Sequence, residues 1–200
     1  MRALRGRPGA RTWELGRIDT PVPGPGELLV RVRAAGVNRA DLLALGGGYP
    51  APHADDDGSF TAGMELAGEA VAAGPGVTGA PGRGPGDRVF ASAPAAFAEY
   101  VVVDARRALP VPSGLSWTEA AALPVALETA HDALVTQAGF GAEGGAVLVL
   151  GGSTGVGQVA IRLAAALGAS PVLATTTSPA KRSALVDAGG DPARRDRCAG

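Results

Sequence analysis

Ala146-Val-Leu-Val-Leu-Gly-Gly-Ser-Thr-Gly-Val-Gly-Gln-Val-Ala160 decides the fold. Ala146 to Leu150 is an unbroken apolar run, which predicts a strand of a parallel sheet buried on both faces. A glycine turn follows at once. Val156, Val159, Ala160, Leu163, Ala164 and Leu167 then recur at helical spacing, with Gln158 and Arg162 opposite, until Gly168 ends the pattern. Strand, glycine turn and helix in this order form the first half of a dinucleotide-binding unit, in which glycines let a pyrophosphate approach a helix N-terminus. Gly155-Val-Gly-Gln-Val-Ala160 has the G-x-G-x-x-A form of that fingerprint. Ser153, Thr154, Gly155, Val156 and Gly157 are its candidate cofactor-binding residues, with a plain structural turn as the alternative.

Downstream, Pro171 to Thr175 reads as a second parallel strand. Ser178-Pro179 then supplies an N-cap and first-turn proline for a helix closing at Gly189. An NAD-type site places a carboxylate about 20 residues beyond the glycines. Here Thr175-Thr-Thr-Ser178 occupies that place, followed by Lys181 and Arg182. Hydroxyls and cations suit a 2′-phosphate, so NADPH is expected over NADH. The alternative is that the two cations merely solvate a helix face. Residues 191–200 lack apolar periodicity and are expected to be irregular.

Upstream to about Pro112 the chain reads as all-β. Leu28, Val30 and Val32 alternate with Leu29, Arg31 and Arg33, and Met64–Ala73, Arg88–Ala91 and Ala98–Val103 are further short runs. Proline- and glycine-rich turns separate them, which predicts a small barrel. The N-terminal arginines Arg2, Arg5, Arg7 and Arg11 are read as part of a strand and hairpin rather than an Arg-rich transit peptide. Asp55-Asp-Asp-Gly58 reads as a solvated loop. Ser116-Trp-Thr-Glu119 is a capping box opening a helical bridge, and Pro124 is expected to break it. The expected domains are residues 1–116 and 117–200.

The bulk composition narrows the function classes. A net charge of −1 gives no electrostatic case for nucleic acid. No apolar run reaches the roughly 20 residues of a membrane span. A single cysteine, Cys198, allows no intrachain disulfide and fits a reducing, cytoplasmic setting. The two histidines, His53 and His131, stand far apart without a second soft ligand, so no metal site is expected. In the turn-rich segment from Gly36 to Pro50, Asn38 could hydrogen-bond a carbonyl or ribose, and Tyr49 could offer a phenol or stack on a flat ligand. A loop-capping Asn and a core-edge Tyr are the alternatives.

Pro23-Gly-Pro-Gly-Glu-Leu-Leu-Val-Arg-Val-Arg-Ala-Ala-Gly-Val-Asn38, Gly63-Met-Glu-Leu-Ala-Gly68, Gly86-Asp-Arg-Val89, Ala98-Glu-Tyr-Val-Val-Val103 and Leu148 to Ala169 together resemble the zinc-free quinone oxidoreductase (zeta-crystallin-like) branch of the medium-chain dehydrogenase/reductases. That family's zinc-dependent members carry His where Met64 stands and Cys where Asn38 stands. The resemblance implies a GroES-like barrel for substrate, a Rossmann domain for NADPH and a site in the cleft between them. It further implies hydride transfer to a quinone or an enone, and dimers among full-length relatives. It places Asn38, Asp41 and Tyr49 in the substrate and nicotinamide segment, Thr129 near the cofactor, and Gly155, Gly157, Ser178 and Lys181 at the phosphates. Relatives continue well past Gly200, so the Rossmann part is expected to be incomplete and the chain a truncated or frame-disrupted member. Such a chain is expected to bind NADPH weakly or not at all, without turnover. The other readings are a non-catalytic or partner-dependent fragment and an enoyl reductase module.

Overall fold

A computed structural model describes residues 1–50, 54–77, 84–141 and 143–190. His53, residues 82 and 83 of the second glycine-rich turn, Cys198 and the tail 191–200 lie outside the described residues. The chain divides into two compact units, Met1–Pro124 and the remainder from Val125.

The first unit contains β1 (Arg2–Gly6), β2 (Glu14–Arg17), β3 (Glu27–Ala35), α1 (Arg39–Leu45), β4 (Phe60–Thr61), β5 (Glu65–Ala73), β6 (Arg88–Ser92), β7 (Tyr100–Asp104), β8 (Leu109–Pro110) and α2 (Trp117–Ala121). β1 and β2 form the expected N-terminal hairpin, with Leu4 opposite Leu15, and β4 pairs on the other side of β1. The remaining strands form one antiparallel sheet in the order β7-β3-β5-β6-β8. A bridge between Ala3 and Ala98 joins the two sheets. The alternation read along β3 is the burial pattern observed. Leu28 and Val30 are fully buried against Leu66, Val89, Val101 and Val103, while Arg31 and Arg33 share the carboxylate of Glu69. Asp55 and Asp57, read as a solvated loop, pair with Arg5 and Arg7 and so tie that loop to β1.

One expectation is corrected in this unit. The segment beginning at Gly36 is not all turn: it contains α1, with Asn38 as its N-cap in an extended conformation. By its contacts the first unit runs through α2 to Pro124, because α2 packs on it. Ala120 and Ala121 are buried with Ala67 and Phe90, and the Arg88 guanidinium lies 4.3 Å over the Trp117 ring. The Ser116–Glu119 capping box is present, with the Ser116 N–H donating to Glu119 Oε2 at 2.8 Å.

The second unit begins within α3 (Pro124–His131), where Pro124 takes the first helical position and its missing N–H costs nothing. A π-helical turn, Asp132–Gln137, continues it. Then come β9 (Gly145–Val149), α4 (Gly155–Ala166), β10 (Ala169–Ala174), a short 3-10 turn Pro179–Lys181 and α5 (Arg182–Asp187). β9 and β10 are parallel, with Val147 opposite Val172 and Leu148 opposite Leu173. This is the βαβα arrangement read from the glycine stretch. The buried stripe of α4 is Gly157, Ile161 and Ala164, packed with Val172, Leu185 and Ala188. Val156, assigned to that stripe, is instead exposed at the first turn.

The expectation that β9 is buried on both faces is also corrected. Val147 and Val149 face α4 and α5, but Leu148 is 59% exposed and Leu150, just past the strand, 76%. The apolar run is that of a central strand, whereas in this chain only β10 pairs with it among the described residues.

Candidate functional site

The glycine loop is built by hydrogen bonds from both parallel strands. Gly151 N–H donates to Thr175 Oγ1 at 3.1 Å and Gly152 N–H to the Thr175 carbonyl at 2.9 Å. Thr176 Oγ1 donates to Ser153 Oγ at 2.9 Å. The threonines after β10, read as a missing carboxylate, therefore hold the loop as well. Thr154 caps α4: its hydroxyl accepts from Gly157 N–H at 3.0 Å and donates to the Gly151 carbonyl at 2.9 Å. That hydroxyl is engaged within the loop.

The two fingerprint glycines do different things. A Cβ on Gly157 would come within 2.7 Å of the Gly152 Cα, so glycine there lets the helix start press on the turn. A Cβ on Gly155 would meet only open space. The N–H groups of Ser153, Gly155 and Val156 have no hydrogen-bond partner among the described residues. Unpartnered N–H groups at a helix N-terminus, beside open space, fit a phosphate group.

Ser178 N-caps the 3-10 turn and its N–H donates to Thr176 Oγ1 at 3.1 Å. Lys181 and Arg182 follow, both exposed and neither in an ion pair among the described residues. Thr129, assigned a place near the cofactor, donates its hydroxyl to the Val125 carbonyl at 2.6 Å within its own helix. His131 is exposed at the end of α3.

In the first unit the structure brings Asn38 and Asp41 together and sets Tyr49 beside Asp41. Asp41 is 4% exposed. Its Oδ2 accepts from the Asn38 N–H at 2.7 Å. Burial raises its pKa above the ordinary aspartate value, and the nearby backbone N–H groups of Asn38 and Gly63 oppose the shift. The Asn38 bond closes the first turn of α1. Tyr49 is 45% exposed and, with Asp41, Thr61, Gly63 and Met64, lines a cavity of about 20 Å³.

Sequence reasoning missed Glu65. It is 4% exposed at the start of β5, and its Oε1 accepts from Asn38 Nδ2 at 2.7 Å. A lone acid heading an apolar strand carries no local sign of burial; its only signal is the resemblance motif Gly63-Met-Glu65. A separate cavity of about 580 Å³ beside β7, lined by Arg5, Ser92, Tyr100 and Asp104 among others, collects none of the predicted residues. Among the described residues no three His, Cys, Asp or Glu side chains are grouped as a metal site requires. No helix there is long and apolar enough to cross a membrane.

Residues 24–113 match the alcohol dehydrogenase GroES-like domain. An alcohol dehydrogenase superfamily protein from Novosphingobium aromaticivorans superposes with a TM-score of 0.85 at 34% identity, covering 98% of this chain and 59% of its own. The quinone oxidoreductase of Thermus thermophilus, solved also with NADPH, superposes with a TM-score of 0.78 at 31% identity, covering 96% and 58%. The phthioceranic/hydroxyphthioceranic acid synthase of Mycobacterium tuberculosis (strain ATCC 25618 / H37Rv) is 39% identical over 181 residues, which is 90% of this chain and 8% of the synthase. The chain thus spans under three-fifths of these solved structures and a small part of the synthase. Residues 24–113 are accordingly an alcohol dehydrogenase GroES-like domain, joined to a partial parallel βαβα unit in a fold shared with quinone oxidoreductases.

Proposed function

We propose that the chain carries the GroES-like unit and the phosphate-binding half of the nucleotide unit of an NADPH-dependent reductase acting on quinones or α,β-unsaturated carbonyls. The observation that carries this reading is the glycine loop, with three unpartnered N–H groups around a Gly155 that faces open space. The N–H groups of Ser153, Gly155 and Val156 would hold the pyrophosphate, while Lys181, Arg182 and the Ser178 hydroxyl would take the 2′-phosphate. When bound, NADPH supplies the hydride; the protein's part is to position and orient. In the first unit Asn38 offers a donor and Tyr49 a phenol to an acceptor oxygen. Zinc-independence belongs to the same reading, since an amide at Asn38 and a thioether at Met64 are poor zinc ligands.

A second reading is an enoyl reductase module of an acyl-chain synthase, favoured by the 39% identity to the phthioceranic/hydroxyphthioceranic acid synthase. The test is titration of the purified 200-residue chain with NADPH and with NADH, followed by NADPH oxidation with a simple quinone and with an enoyl thioester. Saturable binding, weak but localised to the glycine loop, supports the reading. Binding that bypasses the glycine loop, or that favours NADH over NADPH, rejects it. Turnover confined to the enoyl thioester selects the second reading.

A further inference from the structure

We propose that Glu65 is a positioning residue that locks the carboxamide of Asn38 in one orientation and so fixes the direction of its remaining N–H donor. Two anchors hold Asn38. Its backbone N–H is bound to Asp41 Oδ2 at 2.7 Å, and its Nδ2 donates to Glu65 Oε1 at 2.7 Å. A carboxylate accepts and cannot donate, so only the nitrogen end of the amide can face it. A flipped amide would set oxygen against oxygen in a buried place, where that repulsion is poorly screened.

The surroundings are shaped for this contact. A Cβ at position 36 would lie 2.6 Å from both Cγ and Cδ of Glu65, so Gly36 leaves the room the glutamate side chain occupies. The Gly36 N–H also donates to the Glu65 carbonyl at 3.2 Å, which ties the segment before α1 to the head of β5. Asn38 itself is only half-buried. One of its two Nδ2 hydrogens is taken by Glu65; the other has no protein partner among the described residues. With the amide plane anchored, that hydrogen points one way and suits an acceptor oxygen, a carbonyl or a ribose hydroxyl. The identity of that oxygen rests on the reductase reading; the locking of the amide does not.

Asn38 is the chain's only asparagine, so selective 15N-asparagine labelling gives one side-chain amide to follow by NMR without any ligand. The expected result is one amide proton at least ten-fold protected from solvent exchange, with the protection lost in Glu65→Gln, whose amide can face Asn38 either way round. Asn38→Asp should lower the melting temperature at neutral pH by opposing two carboxylates. The exchange-of-charge pair Asn38→Asp with Glu65→Gln should recover most of the loss, a readout that stands even if Glu65→Gln alone folds poorly. A freely exchanging Asn38 amide in the unaltered chain, protection unchanged by Glu65→Gln, or no recovery in the pair would each overturn the proposal. Nucleotide titration of the same samples tests the reductase reading separately, so a locked amide in a chain that prefers NADH to NADPH rejects that reading alone.

Discussion

A Cβ placed on Gly157 would sit 2.7 Å from the Cα of Gly152, while one placed on Gly155, two residues earlier, would touch nothing. The first contact is backbone on backbone and has no flexible side chain to yield. Gly157→Ala should therefore destabilise the second unit by about 1–3 kcal/mol, as over-packing does. Denaturant unfolding checks this.

Gly155→Ala separates folding from binding. With open space around the new methyl, stability should stay within about 0.5 kcal/mol of the parent. Nucleotide affinity should fall, because the methyl occupies the space left for a phosphate. Unchanged affinity in a folded Gly155→Ala chain would count against the cradle.

The bare side of β9 makes a different prediction. Leu148→Thr should change the stability of the 200-residue chain by no more than about 0.5 kcal/mol and reduce its tendency to aggregate. Ile161→Ala, on the covered side and fully buried, should cost about 2–5 kcal/mol. A large loss on Leu148→Thr would mean that this face is covered after all.

Two aspartates of the first unit should titrate on opposite sides of the ordinary value of about 3.9. Hydrogen bonds from the Arg106 side chain and backbone hold Asp104 down to about 2. Its folded pKa lies below the unfolded one, so its stabilising effect is present above the unfolded value and is lost as pH falls toward 2. Burial raises Asp41, so the folded state keeps that proton longer and stability declines as pH rises through the interval just above the unfolded value. Carboxyl NMR titration resolves the two, and Arg106→Ala should return Asp104 toward the ordinary value without moving Asp41.

Much of this was legible because local rules and packing agree. The β9-loop-α4-β10 order follows from an apolar run, a glycine turn and a 3.6-residue stripe, and the Ser116–Glu119 box from two side chains three apart. α1 was not read, because a seven-residue helix between Gly36 and Gly46 presents less than two turns of periodicity and its cap, Asn38 with Asp41, looks like loop chemistry. Glu65 carried no local sign of burial, since that burial depends on Gly36 and Asn38, both distant in sequence. Leu148 misled for the opposite reason: its hydrophobicity suits a wider sheet than the β9–β10 pair described here.

The cradle assignment meets its most direct test in a half-ligand that needs only the second unit. Adenosine 2′,5′-bisphosphate and AMP should be titrated into the 15N-labelled chain in parallel. The account predicts amide shifts at Gly155, Val156, Ser178, Lys181 and Arg182, with the bisphosphate bound at least ten-fold more tightly and the advantage lost on replacing Lys181 and Arg182 by alanine. Equal affinities for the two ligands, or shifts that bypass the glycine loop, would contradict it.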